Sequence, residues 1–250
     1  MARESTGNSH ASPPLWRVER LAYAYGKTVA LDVERLSVRR GRLLCLLGPT
    51  GAGKSTLLRL LAGTAVPSRG RIDVGSARPE KANGAPSVAM VYQQPLPLRR
   101  SVAENVAYGL KLKRLPRREI ETRVEHWLQQ LRLAELASRR ADRLSGGQLT
   151  LLAIARALAI EPEVLLLDEP TANLDPGRVE LVEQVVRAEV NRRDCTVVWT
   201  THNLFQARRI ADDVALLLGG ACIEQADGRT FFDSPADERT KAFLNGDLIY

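Results

Sequence analysis

The stretch Gly48-Pro49-Thr50-Gly51-Ala52-Gly53-Lys54-Ser55-Thr56 decides how this 250-residue chain is read. An apolar run, Leu43-Leu44-Cys45-Leu46-Leu47, comes just before it, and Leu57, Leu58, Leu60 and Leu61 follow at helical spacing. Strand, glycine-rich loop and helix in that order have the spacing of a phosphate-binding loop. Glycines let the backbone curl until several amide N–H groups point at one centre, and the helix N-terminus adds positive potential there. Lys54 can then reach the outer phosphates of a ligand, and the Ser55 hydroxyl can ligate Mg²⁺. A chance glycine turn would not carry Lys-Ser in register between a strand and a helix. The chain is expected to bind a nucleoside triphosphate through Gly48, Pro49, Thr50, Gly51, Ala52, Gly53, Lys54, Ser55 and Thr56.

Outward from this loop the pattern alternates. Short β-type runs are expected at residues 21–25, 43–47, 71–74 and 88–92, broken by Gly and Pro. Residues 95–144 turn helical, with amphipathic stretches at 102–112 and 118–131. Alternation then resumes: helix at 149–159, strand at 164–167, helix at 178–192, strand at 196–200, helix at 205–211 and strand at 214–218. Such alternation implies a mainly parallel sheet covered by helices, with the helical block as an insertion. Residues 1–13 read as a disordered tail.

Hydrophobic content of 44% and charged content of 26% are those of an ordinary soluble globular protein. No apolar run approaches the roughly 18 residues that span a bilayer, and the polar first residues resemble no signal peptide, so a membrane role is expected to come through a partner. The net charge of +7 suits nucleic acid, anionic headgroups or plain solubility. Basic residues thicken at Arg99, Arg100, Lys111, Lys113, Arg114, Arg117 and Arg118, without the interleaved aromatics of a single-strand binder. They read as a solvated face, and no nucleic-acid partner is expected. Cys45, Cys195 and Cys222 lack metal spacing and read as buried thiols of a reducing compartment. His126, beside Trp127, reads as structural.

Two further motifs say what happens to the nucleotide. In Val164-Leu165-Leu166-Leu167-Asp168-Glu169-Pro170, four apolar β-formers end in two carboxylates, as in a buried strand that opens onto a ligand crevice. Asp168 is placed to hold Mg²⁺, and Glu169 to polarise a water for in-line attack on the γ-phosphate. Alone, this pattern could be a strand ending in a solvated acidic turn; beside the phosphate loop it reads as a hydrolytic site. In Leu144-Ser145-Gly146-Gly147-Gln148, a Ser-Gly-Gly turn at a helix start presents a hydroxyl and free amides, a second anion site without a lysine. Two half-sites in one chain suggest that two copies meet head to tail, each completing the other's site.

Residues 144–148 resemble the signature motif of ATP-binding-cassette (ABC) proteins, and the other motifs agree with that family in order and spacing over about residues 15–218. The resemblance implies ATP rather than GTP, hydrolysed with Mg²⁺. It implies an α/β fold: a RecA-like P-loop NTPase core with a mainly parallel sheet, an antiparallel β element near the N-terminus and an inserted α-helical subdomain. The core would comprise about 14–94 and 151–235, the helical subdomain about 95–150, and a short C-terminal segment 236–250. Residue by residue, Tyr25 resembles the aromatic that stacks on adenine, with a core tyrosine as the plainer reading. Gln93 resembles the glutamine that senses Mg²⁺ and links core to helical subdomain. Asp175 resembles the loop aspartate that communicates across a dimer, and His202, in Thr200-Thr201-His202-Asn203, the switch histidine at the γ-phosphate. Lys54, Gln93, Glu169 and His202 would then be catalytic, with Ser55, Gln93 and Asp168 at the metal. Ser145, Gly146, Gly147 and Gln148 of a partner would close over the nucleotide. Two departures stand out: Leu149, Thr150 and Leu151 replace the polar stretch that ends in Arg, and Asn203 stands where Asp is common.

A single cassette without membrane spans suits the stand-alone ATPase of a bacterial-type importer. It would lie on the cytoplasmic face of the inner membrane, as an ATP-bound homodimer, against transmembrane permease subunits and indirectly a substrate-binding protein. Residues 95–102 follow Gln93 where the family docks a coupling helix of the permease. The run 93–112 and the ending from Phe231-Phe232 to Leu248 resemble tungstate-type oxoanion importers, with molybdate, phosphate or polar amino acids as other substrates. A non-transport ABC ATPase acting on nucleic acid or ribosomes is the alternative of another class; the long coiled-coil insertion or second cassette of such proteins is not present in this sequence.

Overall fold

The computed structural model describes residues 14–75 and 86–247; the tail expected over 1–13 lies outside them. Strands β1 (Pro14–Tyr25) and β2 (Thr28–Arg39) form an antiparallel hairpin, and β4 (Arg69–Val74) pairs with β1 on its other side, giving the order β2-β1-β4. The main sheet contains β3 (Leu43–Leu47), β5 (Val88–Val91), β6 (Val164–Asp168), β7 (Thr196–Thr200), β8 (Asp213–Leu218) and β9 (Ala221–Asp227). Its order is β5-β6-β7-β3-β8-β9, parallel except for β9, which returns antiparallel along β8. The β8–β9 turn is Gly219-Gly220, both at positive φ (54° and 85°), the conformation a tight hairpin needs. This is the expected α/β architecture, a mainly parallel sheet beside an antiparallel N-terminal sheet.

Every residue of β3, β6, β7 and β8 is buried. With period two, they feed two apolar cores. Leu43, Cys45, Leu47, Leu165, Leu167, Val197, Trp199, Val214 and Leu216 face one core. It is completed by α2 (Val102–Leu112), α3 (Arg117–Gln130), α4 (Gly146–Ala159), α5 (Pro176–Arg193) and α6 (Leu204–Ile210). Leu44, Leu46, Val164, Leu166, Val198, Ala215 and Leu217 face the other, with β1, β2 and α1 (Lys54–Leu61). Strand β3 is thus anchored on both faces, and the phosphate loop leaves it from the middle of the sheet. Two short helices, α7 (Gly228–Asp233) and α8 (Glu238–Asn245), close the described chain.

The elements differ from the sequence reading mainly at their ends. Strand β1 begins at Pro14 rather than 21, and α4 begins at Gly146 rather than 149, running unbroken through residue 150. The block 95–144 also holds two 3₁₀ turns, Ala134–Leu136 and Ala141–Arg143. Strands β2 and β9 and helices α7 and α8 had no counterpart in that reading. Cys45 and Cys195 are buried and Cys222 half-buried; burial pushes the thiol of Cys195 up to about 12 and that of Cys222 to about 11. His126 is exposed and lies edge-on to Trp127, with ring centroids 5.0 Å apart.

Candidate active site

The phosphate loop is held open by two glycines that no other residue could replace. At Gly48 (φ 145°), a Cβ would stand 2.2 Å from the Leu217 carbonyl oxygen. At Gly53 (φ 95°), which caps α1 without a side-chain bond, a Cβ would stand 2.8 Å from the Ala30 carbonyl oxygen. The first-turn amides of α1 therefore face the loop instead of a capping side chain. Lys54 is 5% exposed. Its ammonium donates to the carbonyls of Gly48 (2.6 Å) and Pro49 (2.9 Å) and stands 3.7 Å from Glu169 Oε1. Burial draws this ammonium below its ordinary range, opposed by the carboxylates of Glu169 and Asp168.

The end of β6 brings the two acids alongside. Asp168 is buried, and its Oδ1 accepts from the hydroxyls of Ser55 (3.0 Å) and Thr200 (2.9 Å). Glu169 turns the chain out of the strand at φ 44°, a left-handed conformation that costs a residue of this size about 1–3 kcal/mol. It is stabilised by the Glu169 N–H, which donates to Thr200 Oγ1 at 2.8 Å. The turn directs the carboxylate toward the loop, with Oε1 near Lys54 and Oε2 3.3 Å from His202 Nδ1. Thr200 thus organises both acids, a role the motif reading missed; its place as the last residue of an apolar strand just before His202 was the available signal.

Tyr25, Thr50, Gly51, Ala52, Gly53, Lys54, Ser55, Thr56, Gln93 and Glu169 line one cleft of about 290 Å³ together with Ala30. Tyr25 is 50% exposed, edge-on to Tyr23, and its hydroxyl accepts from Arg59 at 3.3 Å. Gln93 also borders a second cleft of about 520 Å³, shared with Ser55, Asp168, Leu96 and Arg156. The signature residues lie apart: Ser145, Gly146, Gly147, Gln148 and Asp175 do not line the first of these clefts. Ser145 and Gln148 form a capping box on α4, the Gln148 N–H donating to Ser145 Oγ and the Ser145 N–H to Gln148 Oε1 (3.0 Å). Asp175 caps α5, accepting from the Arg178 N–H at 3.1 Å. The departure residues turn inward: Leu149 packs against the core, Leu151 is buried, and the Thr150 hydroxyl donates to the Gly146 carbonyl (3.2 Å). Asn203 caps α6, accepting from the Gln206 N–H at 3.0 Å.

The profile of the family described as "ABC transporter" matches residues 31–172, which hold the phosphate loop, the Ser-Gly-Gly turn and both acids. The chain belongs to the ABC transporter family. It is similar to the tungstate uptake system ATP-binding protein TupC of Peptoclostridium acidaminophilum, 40% identical over 212 residues covering 84% of this chain and 97% of the relative. It is also 37% identical, over 92% of its length and 86% of the relative, to a probable anion import ATP-binding protein of Haloferax volcanii. Among solved structures it resembles cbiO1 from Clostridium perfringens, part of the ABC transporter complex cbiONQ. That likeness has a TM-score of 0.76 at 30% identity, covering 94% of this chain and 96% of that one. This ABC subunit binds ATP and is an ATPase, of the importer type these relatives represent. No helix among the described residues is long and apolar enough to cross a membrane.

Proposed function

We propose that this ABC subunit energises the uptake of an oxoanion, tungstate foremost, through a separate permease. The reading is carried by the 40% identity that extends over 97% of a tungstate uptake ATPase. In it, ATP lies in the cleft between Tyr25 and the phosphate loop. The loop amides and Lys54 take the phosphates, Lys54 exchanging the carbonyls of Gly48 and Pro49 for phosphate oxygens.

Mg²⁺ fits the residues present. Ser55 Oγ and Asp168 Oδ1 are 3.0 Å apart, the spacing of neighbouring ligands in an octahedron with bonds of about 2.1 Å. No cluster of three or more His, Cys, Asp or Glu among the described residues forms a cage, which suits an ion that arrives with the nucleotide and keeps its waters. When bound, it supplies charge neutralisation at the β- and γ-phosphates, with Gln93 reaching the same cleft. Glu169 orients the attacking water and accepts its proton; His202, 3.3 Å from that carboxylate, holds it toward the γ-phosphate. Ser145, Gly146, Gly147 and Gln148 of a second copy close the site, with Asp175 at the dimer seam, so that ATP binding joins the subunits and hydrolysis releases them.

The permease side is supported by a groove of about 470 Å³ between α2 and α3. Ala103, Ala107, Leu115, Ile120 and Val124 line it together with two acids, Glu104 and Glu121, and two bases, Lys111 and Arg117. Beyond Gln93, Leu96 is 83% exposed, an apolar residue that a docked helix would cover. In this reading the subunit sits at the cytoplasmic face of the membrane, with a substrate-binding protein acting on the far side.

Replacing the chain by Glu169→Gln in the source cell tests the reading. ATP turnover of the purified variant should fall about 10²–10⁴-fold with ATP still bound, and cellular tungsten accumulation should fall to background while molybdenum and phosphate persist. Unchanged tungsten accumulation would sink the tungstate proposal, and a loss of phosphate or molybdate uptake instead would reassign the substrate.

A further inference from the structure

The segments that carry Glu169 and His202 are joined by a buried carboxamide. Gln206, on the first turn of α6, is 3% exposed. Its Nε2 donates to Glu183 Oε1 on α5 at 2.8 Å and lies 3.1 Å from Thr171 Oγ1. Its Oε1 accepts from Thr201 Oγ1 at 2.9 Å. Thr171 stands two residues beyond Glu169, and Thr201 directly precedes His202. The Thr201 hydroxyl also accepts from the Asn203 N–H (3.0 Å), and Asn203 in turn accepts from the Gln206 N–H (3.0 Å), closing a ring of bonds around His202. Behind the amide, the buried Glu183 carboxylate accepts from Arg209 at 2.8 and 2.7 Å. A buried amide whose donor and acceptor are both engaged has one orientation, and the network is stiff because breaking any bond strands a polar group.

We infer that Gln206 is a positioning residue for hydrolysis: its carboxamide fixes the loop after Glu169 against the loop before His202 and so sets the approach of the Glu169 carboxylate to the His202 ring. The inference rests on the proposed roles of those two residues. It has a physical motive in the left-handed backbone of Glu169, which persists only where its surroundings hold it. A displacement of about 1 Å at such a pair costs on the order of 10²-fold in rate.

Gln206→Met keeps the length of the side chain and removes its hydrogen bonds. In the full chain, kcat per nucleotide-binding site should fall roughly 10- to 100-fold with KM within about twofold of wild type. Gln206→Glu gives a pH signature. The new carboxyl faces the Glu183 carboxylate from α5, with Arg209 on α6 as the cation there and the hydroxyls of Thr171 and Thr201 on its other side. Two carboxylates against one guanidinium retain a proton, and the protonated acid restores the donor and acceptor of the amide. Turnover of Gln206→Glu relative to wild type should therefore recover as pH falls and drop as pH rises. A Met variant at wild-type kcat per site, or a Glu variant whose ratio to wild type is flat with pH, overturns the inference. If Gln206→Met does not fold, Thr171→Val and Thr201→Val each remove one hydroxyl, and both should lower kcat several-fold at constant KM; wild-type rates in both overturn it too. Glu169→Gln, run alongside, separates the levels: a turning-over Glu169→Gln removes the reading of Glu169 itself, whereas an inactive one beside a fully active Gln206→Met removes only the role of Gln206.

Discussion

The phosphate loop is sealed into the sheet, whereas the turn at 145–147 stands clear of it. Lys54 is 5% exposed and its ammonium is held by two loop carbonyls, while Gly48 is pressed against Leu217 of β8. Ser145 and Gly146 are exposed, and the hydroxyl and amide of Ser145 are engaged by Gln148 of the same turn. A Cβ added at Gly146 would meet open space. One half-site is finished by the chain's own folding; the other is shaped in advance but faces outward. On the proposed function, nucleotide binding and nucleotide hydrolysis divide between these two regions, the first an intramolecular property and the second dependent on another copy.

The sharpest way to break this contrast is Gly48→Ala. With φ at 145° and the Leu217 carbonyl 2.2 Å from the new Cβ, the loop must leave β8. The expected cost is about 3 kcal/mol or more, read as a lower Tm together with loss of ATP binding. Wild-type binding in this variant would mean that the loop does not depend on its seat in the sheet. Ser145→Arg comes next. It sacrifices a helix cap, about 1 kcal/mol, and leaves the nucleotide cleft untouched. Equilibrium ATP binding should persist, and hydrolysis should fall by about 10²-fold or more as a partner's donor is lost; parallel loss of binding would erase the distinction between the two regions. Gly146→Ala is the mildest. Within the chain it removes backbone freedom at a helix start, worth up to about 1 kcal/mol of added stability, so Tm should hold or rise. Hydrolysis should nevertheless slow several-fold, because in the proposed dimer the methyl would stand between the two copies. Equal hydrolysis would show that this face contacts nothing during turnover.

The sealed half was the more legible in sequence. Runs such as Leu43-Leu44-Cys45-Leu46-Leu47 and Val164-Leu165-Leu166-Leu167 are apolar at every position because both of their faces are covered, and such runs announce central parallel strands. Lys54, Ser55 and Asp168 follow from those strands by position alone. Strand β2 was not read because Asp32, Glu34 and Arg35 interrupt its buried Leu31, Val33, Leu36 and Val38, and β9 because its side chains are only half-buried at a sheet edge. The start of α4 was read late: apolar periodicity begins at Leu149, while the helix is set by the box of Ser145 and Gln148. Gln206 and Thr200 carry no motif of their own. Their contacts to Glu183, Thr171 and Glu169 cross between elements that only the fold brings together.

The position of β3 has a further consequence. It sits between β7 and β8, strands that the ribosome makes long after it. A nascent chain therefore displays its phosphate-loop sequence with neither neighbour to hold it until about 150 further residues have been made, and pairings so distant in sequence form late. The seat of the phosphate loop is therefore completed only once the residues of β7 and β8 can pair with β3.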